Sequence, residues 1–427
     1  MGWVLAGGVY LLIYGARLGF PPTMHYDEVY QVKTAQQILQ LSGYTETSHP
    51  PLAMLLMSLF IFLFGNLSWV WRLVSLFSGF GCLALIYKIT EAFVPSPCLS
   101  PTGRGEGEGR RTRVAFFAAV LFFLDGLAMS QARIGMLNAF MLFWMLLSVY
   151  CLLQHSVLDV WTRRRAFFWS GICFGLGVAT RIVALSTPAL LLVPYLLAWR
   201  QPAKRGPILT DTFLYLFLPA FLIYWIPFLI LPSIRGYGFS SLWAMQKHFV
   251  DYHLHLTAGH TYASKWWGWP FLLRPIWYYY EAASTAGPKL VQGILSIGNP
   301  LIFWGIPAGI GFVGVQFFKK RSRWPSLESQ FCFFAFILVG FFSEWLQWVP
   351  VRRVTFFHYF YTALPFAVMA IAVLLDRLWE WKPQGPRLVL IYLLCVFGMF
   401  LYWYPLLTGF PISESFFNQH MWFKSWI

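Results

Sequence analysis

Charge is scarce in this 427-residue sequence. Asp, Glu, Lys and Arg make up 11% of it, less than half of the roughly 25% found in soluble domains. A chain this poor in charge cannot clothe itself in a solvated shell, and 58% of it is hydrophobic and 20% aromatic. Soluble, secreted and disordered classes are excluded, leaving a polytopic membrane protein. Acid is rarer than base, 16 residues against 31, for a net charge of +15. The bases sit in short clusters between apolar runs, which marks membrane orientation and implies no nucleic-acid partner. Cys82, Cys98, Cys151, Cys173, Cys332 and Cys395 form no C-x-x-C pair and lie mostly in apolar runs, so no disulfide framework is expected. The first apolar run, Met1–Phe20, is long enough to span and has no small-residue cleavage site after it, so no cleavable signal peptide is expected. A repeated half of the transporter kind is also missing.

What is present is a series of apolar runs at about 2–20, 69–94, 114–130, 138–154, 166–184, 187–199, 208–232, 293–317, 330–349, 354–375 and 388–406. The expectation is an all-α membrane protein forming one domain, 1–427, with about eleven spans, or ten if the short run at 187–199 does not cross. Segments 27–42 and 50–65 read as interfacial helices within a first outer loop, 21–68. Arg104, Arg110, Arg111 and Arg113, then Arg163–Arg165, Arg200 with Lys204 and Arg205, Lys319–Arg323, and Arg377 with Lys382 and Arg387 share one face in this arrangement. By the positive-inside rule that face is cytoplasmic. Segment 95–113 becomes a flexible cytoplasmic connector. The first loop, a long loop 233–290 and the tail 407–427 become extracytoplasmic, with every histidine except His155.

Basic residues at helix ends often only snorkel, as read for Arg17 and Lys88. Arg72, Arg133, Arg181, Arg352 and Arg353 instead fall at outer helix ends, against the orientation rule. Guanidinium forks converging there suit an anion, most naturally a phosphate. The acidic pair Asp27-Glu28 on the same face could be a helix N-cap, or a general base whose proton affinity is raised by its neighbour. A base beside phosphate-binding arginines is what a transferase with a phosphate leaving group needs. His49 in His49-Pro50-Pro51-Leu52 could merely break a helix, or belong to an acceptor or sugar platform. Trp267, Trp269 and Tyr279, in two dense aromatic stretches, could be an interfacial belt or a platform for sugar or acceptor. A metal site from His248, His253, His255 and His260 is not favoured, because acidic and cysteine ligands at a matching spacing are lacking. No cofactor is expected.

In these residues the chain resembles the protein O-mannosyltransferase family, polyprenyl-phosphate-mannose-dependent enzymes of the GT-C fold. The resemblance runs through Asp27-Glu28, His49-Pro50-Pro51-Leu52, Trp71-Arg72-Leu73, Leu124-Asp125-Gly126, Gln131-Ala132-Arg133-Ile134-Gly135-Met136-Leu137 and Ala179-Thr180-Arg181. It continues through Trp266–Pro270, Arg274–Tyr280, Gly298-Asn299-Pro300, Arg353, Phe357-His358-Tyr359 and Ala363-Leu364-Pro365. It implies a glycosyltransferase in the cell membrane that moves mannose from a polyprenyl phosphate to Ser or Thr hydroxyls of translocated proteins. Asp27 would be the base with Glu28 in support, Arg72 essential in the site, and Arg181 and Arg353 phosphate contacts. His358 joins the donor set by the same resemblance. Three departures stand out. Asn138 replaces an acid common in the family, Ala53-Met54 replaces Gly-Lys, and the outer loop is too short for the β-trefoil domain of eukaryotic members, which favours a bacterial type. The alternatives are a related transferase with a lipid or cell-envelope glycan acceptor, and a flippase or transporter of a lipid-linked sugar.

Overall fold

The computed structural model describes residues 2–93, 104–154, 160–199, 206–231, 241–283, 289–320 and 330–427. The apolar runs fold into helices because a backbone in hydrocarbon must satisfy its own N–H and C=O groups. Among the described residues four helices are long and apolar enough to cross a membrane: Ser68–Phe93, Ile208–Leu229, Pro300–Lys319 and Gln384–Thr408. A fifth crossing arises if Gly109–Phe123 and Gly126–Arg133, bent by 63° at a short break, count as one. Gly2–Gly15, Leu52–Phe64, Asn138–Leu153, Ile182–Val193 and Phe331–Leu346 are shorter apolar helices. By length and composition alone the described residues thus hold four such helices, or five with the bent pair, and the shorter apolar helices come in addition to these.

The 63° break is built by the Leu124-Asp125-Gly126 motif. Asp125 caps the second helix, accepting from the N–H groups of Leu127 and Ala128, and its other oxygen accepts from Asn299 N at 2.9 Å. Asn299 in turn donates to the carbonyls of Leu124 and Val396. Both motifs are thus structural staples. The helix they orient, Gly126–Arg133, is buried along its whole length. Helix Val160–Thr180 crosses its neighbour closely at Gly171 and Gly175, where an added Cβ would lie 2.3 Å from Leu216 O and 2.5 Å from Ala220 O.

The fold is not all-α. Strands β1 (Ile276–Ala283), β2 (Leu290–Ser296) and β3 (Ile412–Ser413) form an antiparallel sheet in that order, with Ile276 opposite Ser296 and Val291 opposite Ile412. Their aromatic and β-branched residues favour extended chain, and the run expected to begin a span at 293 is strand, with the helix starting only at Pro300. The long loop is therefore structured, with helix Leu242–His255 and a 3₁₀ turn at Trp266–Phe271 ahead of the sheet. The tail packs back on it: Trp426 donates to Leu272 O at 2.7 Å and accepts from Trp277 at 2.8 Å.

At the opposite end Arg110 and Arg113 donate to the two oxygens of Asp376 at 2.8 and 2.7 Å, and Arg163 and Arg164 to those of Asp211 at 3.2 and 2.9 Å. The bases expected to share a face are so tied to helix ends. The connector 95–113 is helical from Arg104 onward, and 94–103, with Cys98, lies outside the described residues. Cys82, Cys151, Cys173 and Cys395 are free thiols.

Candidate active site

Helix Glu28–Gln40 opens on the acidic pair, and its two carboxylates part at once. Glu28, in the first turn, points inward. Its Oε1 accepts from Arg72 Nε at 2.8 Å and Gly135 N at 2.7 Å, and its Oε2 from Arg72 Nη2 at 3.0 Å. Arg72 spends its remaining three N–H groups on the carbonyls of Leu18, Phe20 and Pro21 at 2.7, 3.0 and 3.1 Å. All five guanidinium donors are therefore used, and the side chain is 0% exposed. A Cβ on Gly135 would lie 3.2 Å from Glu28 Oε1 and Val32 Cγ2, so any side chain there would crowd both. Burial works to raise the Glu28 carboxyl, but Arg72 and His25 outweigh it and hold it down at about 2. Glu28 is an ionised anchor.

Asp27 behaves oppositely. It occupies the N-cap position yet makes no capping bond, and among the described residues its carboxylate has no hydrogen bond or ion pair. The capping explanation fails. Tyr26 presents it from a left-handed conformation, φ +53°, which costs a non-glycine residue about 1–2 kcal/mol. The Tyr26 ring is held 4.8 Å from that of Tyr278 and 5.9 Å from that of His358. Asp27 lines a cavity of about 460 Å³ with Glu46, His49, Arg181, His253 and Arg353. Burial lifts its carboxyl to about 6, with Arg181 pulling it down and Glu46 pushing it up. The like charge that acts on it is Glu46, not Glu28. His49 stacks on His253 at 5.5 Å, and burial, with the nearby arginines, lowers both histidines, His253 to about 4.

The far wall holds two cations. Helix Val160–Thr180 breaks where Arg181 becomes extended, and this turns its side chain toward the cavity. Its guanidinium lies 5.1 Å over the Tyr359 ring, and that of Arg353 lies 5.7 Å over the same ring. Arg181 donates to the neutral amide oxygen of Asn138, whose Nδ2 donates to Gln131 Oε1 at 2.7 Å. Among the described residues neither arginine has a carboxylate partner. Two cations held over one ring with no carboxylate bonded to either could receive an anion. Both also line an adjoining cavity of about 550 Å³, bordered by apolar Ile182, Leu254, Trp348 and Val351 and by exposed Arg352.

Of the expected site residues, Asp27, His49, Arg181, Arg353 and His358 meet at one cavity and Arg352 borders its neighbour. Glu28 and Arg72 lie behind the wall as its support. Arg133 is no anion ligand: it is buried and donates to the carbonyls of Tyr14 and Ala16. Trp269 is no platform, being 1% exposed and packed on Trp348 and Tyr359. Trp267 is 49% exposed and outside the cavity lining, and Tyr279 turns to Phe20 and Glu281 while its neighbour Tyr278 meets Tyr26 and His358. Glu46 and Tyr26 were missed, although Glu46 is an acid three residues before His49, while His253 had entered only as a disfavoured metal ligand and Tyr359 only within the Phe357-His358-Tyr359 motif. Among the described residues no group of three or more His, Cys, Asp or Glu could hold a metal ion.

Comparison with known proteins bears on the same chemistry. The family profile described as dolichyl-phosphate-mannose-protein mannosyltransferase matches residues 4–242, and that described as the C-terminal four TMM region of protein-O-mannosyltransferase matches 238–426. The chain is 25% identical to a polyprenol-phosphate-mannose–protein mannosyltransferase of Mycobacterium tuberculosis, over 100% of this chain and 92% of the relative. It is 24% identical to the protein of that name from Corynebacterium glutamicum, over 90% and 82%. Among solved structures it resembles the Saccharomyces cerevisiae protein O-mannosyltransferase Pmt1-Pmt2 complex bound to the sugar donor, with TM-score 0.80 at 14% identity over 100% and 93% of the two chains. It also resembles ArnT from Cupriavidus metallidurans bound to undecaprenyl phosphate, with TM-score 0.54 at 15% identity over 92% and 63%. These two likenesses show the GT-C fold.

Proposed function

We propose, since the chain belongs to the dolichyl-phosphate-mannose-protein mannosyltransferase family and is a multi-pass membrane mannosyltransferase, that it moves mannose from a polyprenyl phosphate to a Ser or Thr hydroxyl of a protein, with Asp27 as the base. The observation that carries this reading is the unpartnered Asp27 carboxylate in one cavity with two arginines that lack a counter-ion. The acceptor oxygen attacks the anomeric carbon while Asp27 takes its proton. The bond from that carbon to the phosphate oxygen breaks, and its electron pair leaves with the polyprenyl phosphate, whose charge Arg181 and Arg353 stabilise. With base and phosphate on opposite sides of the sugar, this is a single displacement, and a β-linked donor gives an α-linked product. We place the cavity on the extracytoplasmic side, supported by the basic clusters gathered at the other end of the helices.

The test is to incubate the purified protein with polyprenyl-phosphate-mannose and a Ser/Thr peptide. The expected result is a peptide heavier by one hexose together with free polyprenyl phosphate. An unmodified peptide with intact donor would sink the reading.

Arg353→Ala and Arg181→Ala should weaken donor affinity by about 1.5–3 kcal/mol each, the size of a lost charge-assisted bond and roughly 10-fold to 100-fold. Titrating donor at fixed peptide measures this. A change confined to the peptide's KM would remove that arginine from the phosphate site.

A further inference from the structure

The cavity sets two requirements against each other. A phosphate needs Arg181 charged, but a cation beside Asp27 lowers its proton affinity and makes it a weaker base. Glu46 lines the same cavity and is 7% exposed. Its Oε1 accepts from the Ser48 N–H at 2.6 Å and the Ser48 hydroxyl at 2.5 Å. Its own N–H donates to Thr34 Oγ1 at 2.7 Å, on the helix that Asp27 begins. The second carboxylate of the cavity is therefore held at a fixed place relative to the first.

We propose that Glu46 is a built-in counter-charge which offsets Arg181 and lets one cavity hold a phosphate-binding arginine and a working base together. It is a positioning residue that acts through Asp27, and the inference rests on Asp27 being the base. The directions agree: after burial, Arg181 lowers the Asp27 carboxyl and Glu46 raises it. The Glu46 carboxyl is itself raised by burial, against which the bonds from Ser48 favour its charged form. Other groups around Asp27 do not shift this balance. Glu28 is held ionised by Arg72, burial keeps His49 and His253 neutral, and Tyr26, Tyr252 and Tyr278 are raised by burial. His260, His358, Tyr30, Tyr359 and Arg353 line the cavity in every variant, so a difference between variants isolates Glu46.

The experiment is a pH profile of kcat/KM and a donor KM for the full-length protein in lipid nanodiscs, with one donor and one peptide throughout. Wild type should lose activity as pH falls through about 6, because the base must be deprotonated. Glu46→Gln should move this acid limb to lower pH by about half a unit or more and lower the plateau several-fold, with donor KM unchanged. Glu46→Asp should restore most of both. Ser48→Ala, which keeps the carboxylate but loosens its hold, should move the limb the same way by less, and it gives a second reading if Glu46→Gln does not fold. A limb that stays at its wild-type position in Glu46→Gln and Ser48→Ala, or an effect confined to KM, overturns the counter-charge. A wild-type profile without an acid limb overturns it by removing the base reading itself.

Discussion

Asp27→Asn should abolish transfer while the protein stays folded and still holds its lipid donor. A Ser or Thr hydroxyl is a poor nucleophile at neutral pH, and its proton must leave as the new bond forms. Asparagine keeps the shape of the side chain and cannot accept that proton. Loss of a positioned base costs about 100-fold to 10,000-fold, roughly 3–5 kcal/mol of barrier. Folding should be spared because Asp27 caps no helix and pairs with no cation among the described residues, and the variant relieves the burial of a charge. Single-turnover kinetics beside a donor-binding measurement and a thermal melt separate these effects. Near-normal rates in Asp27→Asn would show that the carboxylate is not the base, and a β-linked product from a β-linked donor would exclude the single displacement.

Arg72→Ala should also lose activity, but for a different reason. It leaves Glu28 as an uncompensated charge in a site that is 0% exposed, and breaking a buried pair in this way costs about 3–5 kcal/mol. The carbonyls of Leu18, Phe20 and Pro21 lose their donors at the same time, so the entry to the first outer loop comes apart. Arg72→Lys should rescue little, since an ammonium supplies three donors where five are used. The measurement is a melt in nanodiscs together with activity, and both should fall together. Wild-type thermal stability with only donor affinity lost would return Arg72 to the phosphate. The pair should show in acid as well. The Glu28 carboxyl is lowered to about 2, so its stabilising share is complete above the ordinary carboxyl value of 4.5 and disappears as pH falls toward 2.

Much of the site was legible because some signals are local. Asp27 and Arg181 stood out in the sequence because charge is rare in this chain, and rarer still at outer helix ends. The division of labour between neighbours was not legible. Asp27 and Glu28 are adjacent and chemically alike, yet one faces a cavity and the other a guanidinium contributed 44 positions later. Arg72, Arg133 and Arg181 shared one expectation, anion binding. Packing gave the first five protein acceptors, the second a pair of carbonyls, and the third only a neutral amide. Trp269 and Tyr279 misled for the related reason that aromatic density says nothing about which ring is covered.

By itself the sequence determined that this is a membrane-embedded helical protein of the mannosyltransferase family, because apolar content, scarce charge and ordered motifs need no partner to be read. The tertiary structure alone decided that residues 290–296 are strand, that Glu46 joins Asp27, and that Arg181 and Arg353 both approach the Tyr359 ring. The reason is that a buried polar group acquires its role from what satisfies it. Here the satisfying groups come from chain segments far apart in sequence, and only packing brings them within hydrogen-bond range.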